Sequence, residues 1–440
     1  MSSTETRTID TSQLTPLQKT LHLPTSISDK VESGFMANLQ KTTYCKIYDK
    51  PLEGQATNIG DTGGTQSSGM TFTIDSSACF LLEAAFKQQL PQVSVAEQYA
   101  DEIQICWPTY PVHNIIVSSQ LMVGTISLGT IDTNILDNHS QWYRDIDEYT
   151  YNRKTGNVAL LTEWKTVLPP TIVSVKLPHS FSHCQANALP LLIFASKKTA
   201  EFKMKLRRMY KQLIKMRRKN MDGTYTDIKF NHEYLDGVGK DEELPIPTLL
   251  GRYGDITKEE YDDFMKKSSH DTIIFQYITN KEAKETKDSV SLSSAYPVNA
   301  IHFFAENCSV GEYGCQSNYT SNKRDILGGF CPIRSFTLMD SDETEIISND
   351  THYSSLMIAD KFVSAPAYPG YNAIPFCEEM TLLDRIKTGI DPGKYTMNFV
   401  LDDGGENNTY KMRVIMIVTA RMSVDIKSAS ITFPTFESGK

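Results

Sequence analysis

Short hydrophobic stretches separated by turn-forming residues run through most of the chain. These stretches are rich in Val, Ile, Phe and Tyr, and Gly, Pro, Asn, Asp and Ser lie between them, a pattern typical of β-strands. The predicted strands lie at 43–48, 70–74, 79–86, 103–107, 120–128, 158–167, 171–177, 271–279, 298–305, 333–339, 356–363, 395–400 and 410–425. Many short strands with intervening turns favour β-sandwiches over alternating strands and helices.

Three segments refine this picture. Between 202 and 207 Phe, Met and Leu alternate with Lys, Lys and Arg, which predicts a strand with one apolar and one cationic face. The charged segment 257–267 predicts a short helix, and the long polar connections 132–157 and 217–243 are expected to be surface loops. The apolar run 414–420 is far shorter than the roughly 20 residues that a membrane helix needs, so it predicts a buried strand.

Composition and charge limit the classes of function. At 440 residues the chain exceeds the usual size of a single core, so two domains are expected. The formal charge is 44 minus 53, or −9, which argues against direct binding of nucleic acid. The N-terminus is polar and shows no secretory signal. The eight cysteines are therefore expected to be mostly free and buried, with Cys308 and Cys315 as a pair that could join in oxidising surroundings.

Five groups of motifs resemble the double jelly-roll major capsid proteins of nucleocytoplasmic large DNA viruses, and they occur along this chain in the order expected for that family. The join between the two halves of that family resembles 257–307, where a charged helix is followed by Asp271-Thr-Ile-Ile-Phe-Gln and then by Pro297-Val-Asn-Ala-Ile-His-Phe-Phe. The other four are Ile103–Trp107 with Val112–Ile116, Leu177–Phe181 with Ala188–Ile193, Pro369–Phe376, and Asp391–Phe399. Val112 stands where the family has glycine, and Lys394 and Tyr395 stand where small polar residues are commoner. These departures point to a distant branch or a minor capsid paralogue.

The resemblance implies an all-β fold of two tandem eight-stranded jelly-roll β-sandwiches with a short linker helix. The expected limits are an N-terminal arm at 1–38, a first sandwich at 39–256, and a second at 257–440 that includes the helix at about 257–267. The implied function is structural, not enzymatic. Homotrimeric, pseudo-hexagonal capsomers would tile an icosahedral shell in the virion, after assembly in the host cytoplasm. Implied partners are the chain itself, neighbouring capsomers, minor capsid proteins and an anionic inner membrane.

Two alternatives stay open. One is a related minor capsid or assembly-scaffold protein of the same fold. The other is a soluble β-sandwich protein that binds carbohydrate, or a jelly-roll enzyme.

Candidate chemistry is sparse, and no cofactor is expected. None of the nine histidines has His, Asp or Glu two positions later, as jelly-roll metalloenzymes need. His179 and His183 have the spacing of a zinc pair on a helix, but flanking prolines predict a loop, with polar loop histidines as the alternative interpretation. Asp61-Thr-Gly63 matches the aspartic-protease triplet, which occurs once where two are needed.

One segment departs from the acidic background. Residues 197–219, called here the basic segment, hold eleven basic residues and one acid, Glu201, so this segment carries +10 and the remainder −19. It is either a solvated strand face with a basic loop, or a contact for anionic lipid beneath the shell or for an acidic neighbouring subunit. The candidate inner-face or partner contacts are Lys203, Lys205, Arg207, Arg208, Arg217, Arg218 and Lys219.

Overall fold

The computed structural model describes residues 44–57, 68–183, 187–279, 289–314, 316–322, 329–351, 357–377, 380, 389–402 and 408–433. The expected N-terminal arm at 1–38, the triplet Asp61-Thr-Gly63 and Cys315 lie outside these residues. The domain limits drawn from the sequence stay predictions.

Strands dominate both halves of the chain. The first half contains β1 (Lys46–Pro51), β2 (Glu53–Thr57), β3 (Ser68–Thr73), β4 (Phe80–Leu90), β5 (Val93–Ser94), β6 (Ile103–Cys106), β7 (Ile116–Val123), β8 (Ile126–Asp132), β9 (Val167–Leu168), β10 (Thr171–Lys176), β11 (Leu189–Pro190), β12 (Ala200–Leu206), β13 (Lys215–Lys219), β14 (Tyr225–Ile228) and β15 (Thr248–Asp255). The second half contains β16 (Ser269–Thr279), β17 (Ser289–Ser294), β18 (Val298–Asn307), β19 (Ile333–Met339), β20 (Glu345–Asp350), β21 (Asn372–Pro375), β22 (Gly393–Leu401), β23 (Tyr410–Asp425) and β24 (Ile431–Thr432).

Helices are short and lie in the connections. The α-helices are α1 (Pro111–Ile115), α2 (Thr133–Trp142), α3 (Glu148–Thr155), α4 (Ala159–Thr162), α5 (Leu191–Phe194) and α6 (Lys258–Met265). The 3₁₀ turns are Glu97–Tyr99, Ser180–Ser182, Tyr210–Gln212, His232–Tyr234, Cys308–Tyr313 and Ala359–Lys361.

Each half contains two main antiparallel sheets with the same order of strands. In the first half the main paths are β1-β15-β4-β10 and β3-β12-β7-β8, with β2 added beside β3 and β11 beside β4. In the second half they are β16-β23-β18-β21 and β17-β22-β19-β20, with β24 added beside β23. When the eight main strands of each half are numbered from 1 to 8, both halves read 1-8-3-6 and 2-7-4-5. Two tandem eight-stranded jelly-roll sandwiches are therefore confirmed.

Alternation along the strands places the cores. On β12, Phe202, Met204 and Leu206 are buried while Lys203 is exposed, which confirms the predicted two-faced strand. The interior of the second sandwich is built in the same way, with Met397 and Phe399 of β22 packed on Phe303 of β18. A second apolar cluster fills the first sandwich and continues into the contact between the two sandwiches. The two sandwiches therefore share one apolar cluster where they meet.

The predicted linker helix is α6, and its first turn explains where it begins. The Thr257 hydroxyl accepts a bond from the Glu260 N–H, while the Glu260 carboxylate accepts one from the Thr257 N–H. This reciprocal pair satisfies two donors at the helix start.

Two predicted strands are wrong. Instead of a strand at 158–167 there is the single turn of α4, and the Val158 carbonyl accepts from the N–H groups of Leu161 and Thr162. Short apolar runs do not distinguish a helical turn from a strand. In the interval 356–363, Ala359–Lys361 is a 3₁₀ turn. The apolar Phe362 beside it is buried against Trp142 of α2, outside any sheet.

The long connections are also more ordered than expected. Residues 132–157 form α2, which is almost wholly buried, and α3. Within 217–243, β13 and β14 make a hairpin that joins β6 in a three-stranded sheet. The predicted strand 120–128 is a hairpin of β7 and β8, which turns at Gly124 with φ of +59°, a backbone conformation that favours glycine.

Membrane spanning by a helix was also considered for the described residues. None of their helices combines the length and the apolar character needed to cross a bilayer. The apolar run 414–420 lies within β23, the buried strand that was predicted.

Two neighbouring residues on β22 test this account of the second core. Phe399 is 4% exposed and packs on Phe303, whereas Val400 is 57% exposed. We expect Phe399→Ala to lower the free energy of unfolding by about 3–5 kcal/mol, because it removes a large buried side chain and leaves a cavity. The matched Val400→Ala change should cost less than about 1 kcal/mol. Urea unfolding of both variants measures this, and equal losses would contradict the assigned register.

Candidate functional site: the joint and the basic segment

Helix α2 lies between the two sandwiches, and the contacts around it are called here the joint. Asp132 caps the helix by accepting from the Ile135 N–H at 2.8 Å, and burial raises the pKa of this carboxyl group. Every residue of α2 except His139 is buried, including polar Asn134, Asp137 and Gln141. Because buried polar groups need partners, these side chains reveal what holds the joint together.

A polar chain crosses the joint through Asp137. The hydroxyl of Tyr319, from the second sandwich, lies 2.7 Å from Asp137 Oδ2 and 2.9 Å from Asn134 Oδ1. His113 Nδ1 lies 2.7 Å from Asp137 Oδ1, and His113 Nε2 lies 2.9 Å from the Tyr151 hydroxyl. A carboxylate accepts, so His113 donates from Nδ1 to Asp137 and shares its second hydrogen bond, at Nε2, with the Tyr151 hydroxyl. Burial, together with Asp137, raises the pKa of Tyr319 well above its ordinary value.

Asn114 and Gln141 make further hydrogen bonds across the joint, on either side of the polar chain through Asp137. Asn114 donates to Ser317 Oγ at 3.2 Å and accepts from the Gln316 N–H at 3.1 Å. Gln141 Oε1 accepts from the Ala367 N–H at 3.0 Å, and the backbone carbonyl of Gln141 accepts from Ser364 Oγ at 2.7 Å. Directional bonds at separate points fix the orientation of one sandwich relative to the other.

Aromatic rings and histidines pack at the C-terminal end of α2. Trp142 lies 4.6 Å from the ring of Phe362, and the Tyr143 hydroxyl lies 2.8 Å from His302 Nε2. Burial lowers the pKa of His302 to about 3 and that of His183 to about 4. His183, which was predicted to lie in a loop, follows the 3₁₀ turn Ser180–Ser182, and its ring packs against Phe275 of the second sandwich.

A close backbone contact completes the joint. Gly370 has φ of +98°, and a Cβ atom there would come within 2.1 Å of the Tyr319 carbonyl oxygen. Only glycine permits this approach. The glycine of the motif at 369–376 therefore helps to position Tyr319.

Three arginines of the basic segment are structural. Arg207 lies beside the joint, where it donates to the Asn114 carbonyl at 2.9 Å and to Thr133 Oγ1 at 3.2 Å. Arg208 pairs with Glu243 at 3.0 Å. Arg217 donates from Nε to Gln104 at 2.8 Å, and its guanidinium lies over the rings of Trp164 (4.7 Å) and Tyr225 (4.1 Å). These side chains are only partly exposed.

Three of the other four predicted contacts are exposed. Lys203 projects from the outer face of β12 and pairs with Glu201 at 3.1 Å, whereas Lys205 on the same face is half-buried. Arg218 and Lys219 are exposed near the β13–β14 turn, where Arg218 lies 3.5 Å from Glu102. The structure thus separates the seven candidates into two pairs on outer faces and three arginines that support the first sandwich.

Metal chemistry was examined over the described residues. No group of three His, Cys, Asp or Glu side chains there has an arrangement that could hold a metal ion. His179 bonds to Ser119 Oγ at 3.1 Å, while His183 belongs to the joint.

Removing the Tyr319 hydroxyl tests whether the polar chain through Asp137 stabilises the joint. We expect Tyr319→Phe to lower the free energy of unfolding by about 1–3 kcal/mol, because buried Asp137 loses a hydrogen-bond donor. Hydrogen exchange of α2 should rise as well. The control Tyr149→Phe changes a 71% exposed ring and should have almost no effect. If α2 exchanges equally slowly in both variants, Tyr319 does not hold the joint.

Comparison with known proteins gives a clear answer at the level of fold. No protein-family model and no curated protein matches the sequence. Among solved structures, a chain of the PBCV-1 virus capsid is 11% identical, with 90% of this chain and 98% of that chain covered and a TM-score of 0.65. The Faustovirus major capsid protein is 9% identical, with 86% and 91% covered and a TM-score of 0.63. A chain of the Sputnik virophage structure is 7% identical, with 90% and 89% covered and a TM-score of 0.54.

Identities this low establish a shared architecture only, but the shared architecture extends over both sandwiches and the connection between them. The family resemblance found in the sequence is confirmed to that extent. The chain has the double jelly-roll fold of the PBCV-1 capsid and the Faustovirus major capsid protein.

Proposed function

We propose that this chain is a capsid protein that forms homotrimeric, pseudo-hexagonal capsomers of an icosahedral viral shell. The observation that carries the proposal is the tandem repetition of one strand order, 1-8-3-6 and 2-7-4-5, over nearly the whole chain. The two solved capsid structures share this architecture over 90% and 86% of this chain. The proposed role is structural and requires neither catalysis nor a cofactor.

The joint supports this role physically. Three copies of a chain with two similar sandwiches offer six similar lateral faces, which can repeat around a closed ring. Such a tile needs the two sandwiches of each copy to keep one relative orientation. The apolar contacts of Trp142 and Phe362 and the polar chain through Tyr319 supply that constraint. Individually weak contacts between tiles are sufficient, since many act together.

The surface lysines and Arg218 suit the inner side of a shell. We narrow the contact proposal to Lys203, Lys205, Arg218 and Lys219, because Arg207, Arg208 and Arg217 are engaged within the chain. Clustered cations are attracted to anionic lipid surfaces. An anionic inner membrane is therefore the proposed partner, and an acidic face of a neighbouring subunit is the competing one.

Other finer assignments extend this proposal. The chain would reside in the virion capsid after assembly in the host cytoplasm, with minor capsid proteins as further neighbours. A minor capsid or scaffold role uses the same fold, and the amount of this chain in purified virions distinguishes these roles from that of a major protein.

The native mass tests the trimer. We expect light scattering of the purified full chain to give three times the mass of one chain, and electron micrographs to show six similar modules around a threefold axis. The reason is that two equivalent sandwiches per chain close a pseudo-sixfold ring. A monomer across the accessible concentration range would overturn the trimer and favour the soluble carbohydrate-binding alternative.

Charge reversal tests the lipid contact. We expect Lys203→Glu with Lys205→Glu to reduce flotation with vesicles containing phosphatidylserine by roughly tenfold or more, because each lysine near an anionic surface contributes about 1 kcal/mol. The native mass should stay unchanged. The control is Lys87→Glu, at an exposed position on β4 in the opposite sheet of the same sandwich.

Two results would contradict the lipid proposal. One is equal flotation of the double variant, the control and the unmodified chain. The other is unchanged flotation together with lost assembly, which would assign Lys203 and Lys205 to an acidic subunit face instead.

A further inference from the structure

Histidines are concentrated at the joint, and three of them belong to a continuous series of neighbouring histidine and tyrosine rings. Tyr277 of the second sandwich places its hydroxyl 3.4 Å from His183 Nε2. The His183 ring lies 5.6 Å from that of His139 on α2, which lies 5.5 Å from Tyr143. Tyr143 then bonds to His302 of the second sandwich at 2.8 Å. His139, His183 and His302, called here the joint histidines, thus connect the two sandwiches.

The surroundings of the joint histidines suit neutral rings only. His302 is fully buried, and Trp142 and Phe362 pack on its ring. Neither His302 Nδ1 nor His139 Nε2 has a hydrogen-bond partner within the part of the chain that the structure describes. The doubly protonated form of either ring would carry a positive charge and an N–H group at this enclosed nitrogen with no acceptor there, which is strongly unfavourable.

Neighbouring positive charges also lower the pKa values of His139 and His183. On His139, burial is the largest cause of a lowered pKa, and the charges of His183, Lys176, His113 and His302 act in the same direction. His183 faces Tyr277 and also experiences Lys176. For His302, burial is the cause, and Tyr143 is its polar neighbour. His113 differs from these three, since its ring has the carboxylate of Asp137 as a partner.

We propose that the joint is acid-sensitive: protonation of His139, His183 and His302 separates the two sandwiches while each sandwich remains folded. The event requires protons alone and belongs to the single chain, so it does not depend on the capsid proposal. The interior of the second sandwich is packed from side chains such as Phe303, Phe336 and Phe399, which do not titrate. Of the two histidines on its strands, His302 of β18 belongs to the joint and His270 of β16 packs on Phe264 of α6. Acid is therefore expected to act on the joint before it acts on that interior.

The direction of the pH dependence follows from linkage. An exposed histidine has an ordinary pKa of about 6.5, whereas burial lowers the pKa of His183 to about 4 and that of His302 to about 3. Above pH 6.5 the rings are neutral in the closed and open joint, so they add no pH dependence. Between about pH 6.5 and 4 the open joint binds more protons than the closed joint. Each histidine then favours opening by up to about tenfold per pH unit.

Hydrogen exchange can separate opening of the joint from global unfolding. Amides of α2 report the joint, and amides of β23, at the centre of the second sandwich, report global unfolding. The purified full chain is measured from pH 7 to 5, with rates corrected for the intrinsic pH dependence of exchange. As the pH falls, we expect α2 to open before β23. The logarithm of the α2 opening constant, plotted against pH, should have a slope whose size approaches the uptake of about three protons.

Substitutions of single histidines show which side chains take up the protons when the joint opens. His302→Gln should reduce the α2 slope by about one proton, because one titrating ring is removed. His183→Gln, at a half-buried position, should do the same and serves if the His302 variant does not fold. The control His232→Gln changes a half-buried histidine in the 3₁₀ turn His232–Tyr234, away from the joint, and should leave both slopes unchanged.

A half-buried histidine away from the joint provides a sharper control. His270 packs on Phe264 of α6, and burial lowers its pKa to about 4. His270→Gln should therefore reduce the slope of global unfolding at β23 and leave the α2 slope unchanged. The proposal is overturned if α2 and β23 exchange together at every pH, or if the α2 slope is the same in the unmodified chain and in both joint variants.

Discussion

The rest of the structure depends on the burial of a polar helix between two β-sandwiches. Helix α2 is enclosed on all sides, yet it carries Asn134, Asp137 and Gln141, whose polar groups cannot be left without partners. The second sandwich provides these partners through Tyr319, Ser364 and the backbone of Ala367. Separating the sandwiches would expose apolar surface and break these bonds at once. The two sandwiches therefore act as one rigid unit, which is the property that a repeating tile requires.

The fold gives the positive charges of the basic segment two different roles. Arg207, Arg208 and Arg217 lie against carbonyl, carboxylate or amide groups or aromatic rings, whereas Lys203 of β12 extends into solvent. A planar guanidinium can donate several bonds and stack at the same time, while an ammonium group is more strongly hydrated. A block of positive charge in the sequence is thus divided in the fold between internal support and an exposed surface.

Prediction from the sequence succeeded where local pattern decides the structure. The alternation of Phe202, Met204 and Leu206 with charged residues places β12, and the charged turn after Thr257 places α6. Prediction failed where burial comes from distant residues. The segment 132–142 is polar and looks like a surface loop, but its partner Tyr319 is far away in the sequence. Phe362 was assigned to a strand, since nothing nearby indicates that its partner is Trp142.

The sequence by itself determined the class of the protein: two sets of short strands, a linker helix, and motifs in the order of a known capsid family. These features depend on residues close together in the chain, where periodicity and turn chemistry act directly. The tertiary structure alone decided which polar residues are buried, which arginines are structural, and that histidines gather at the joint. Those properties depend on contacts between residues separated by as many as 226 positions in the joint, and the burial that they create sets hydrogen bonding and proton affinity.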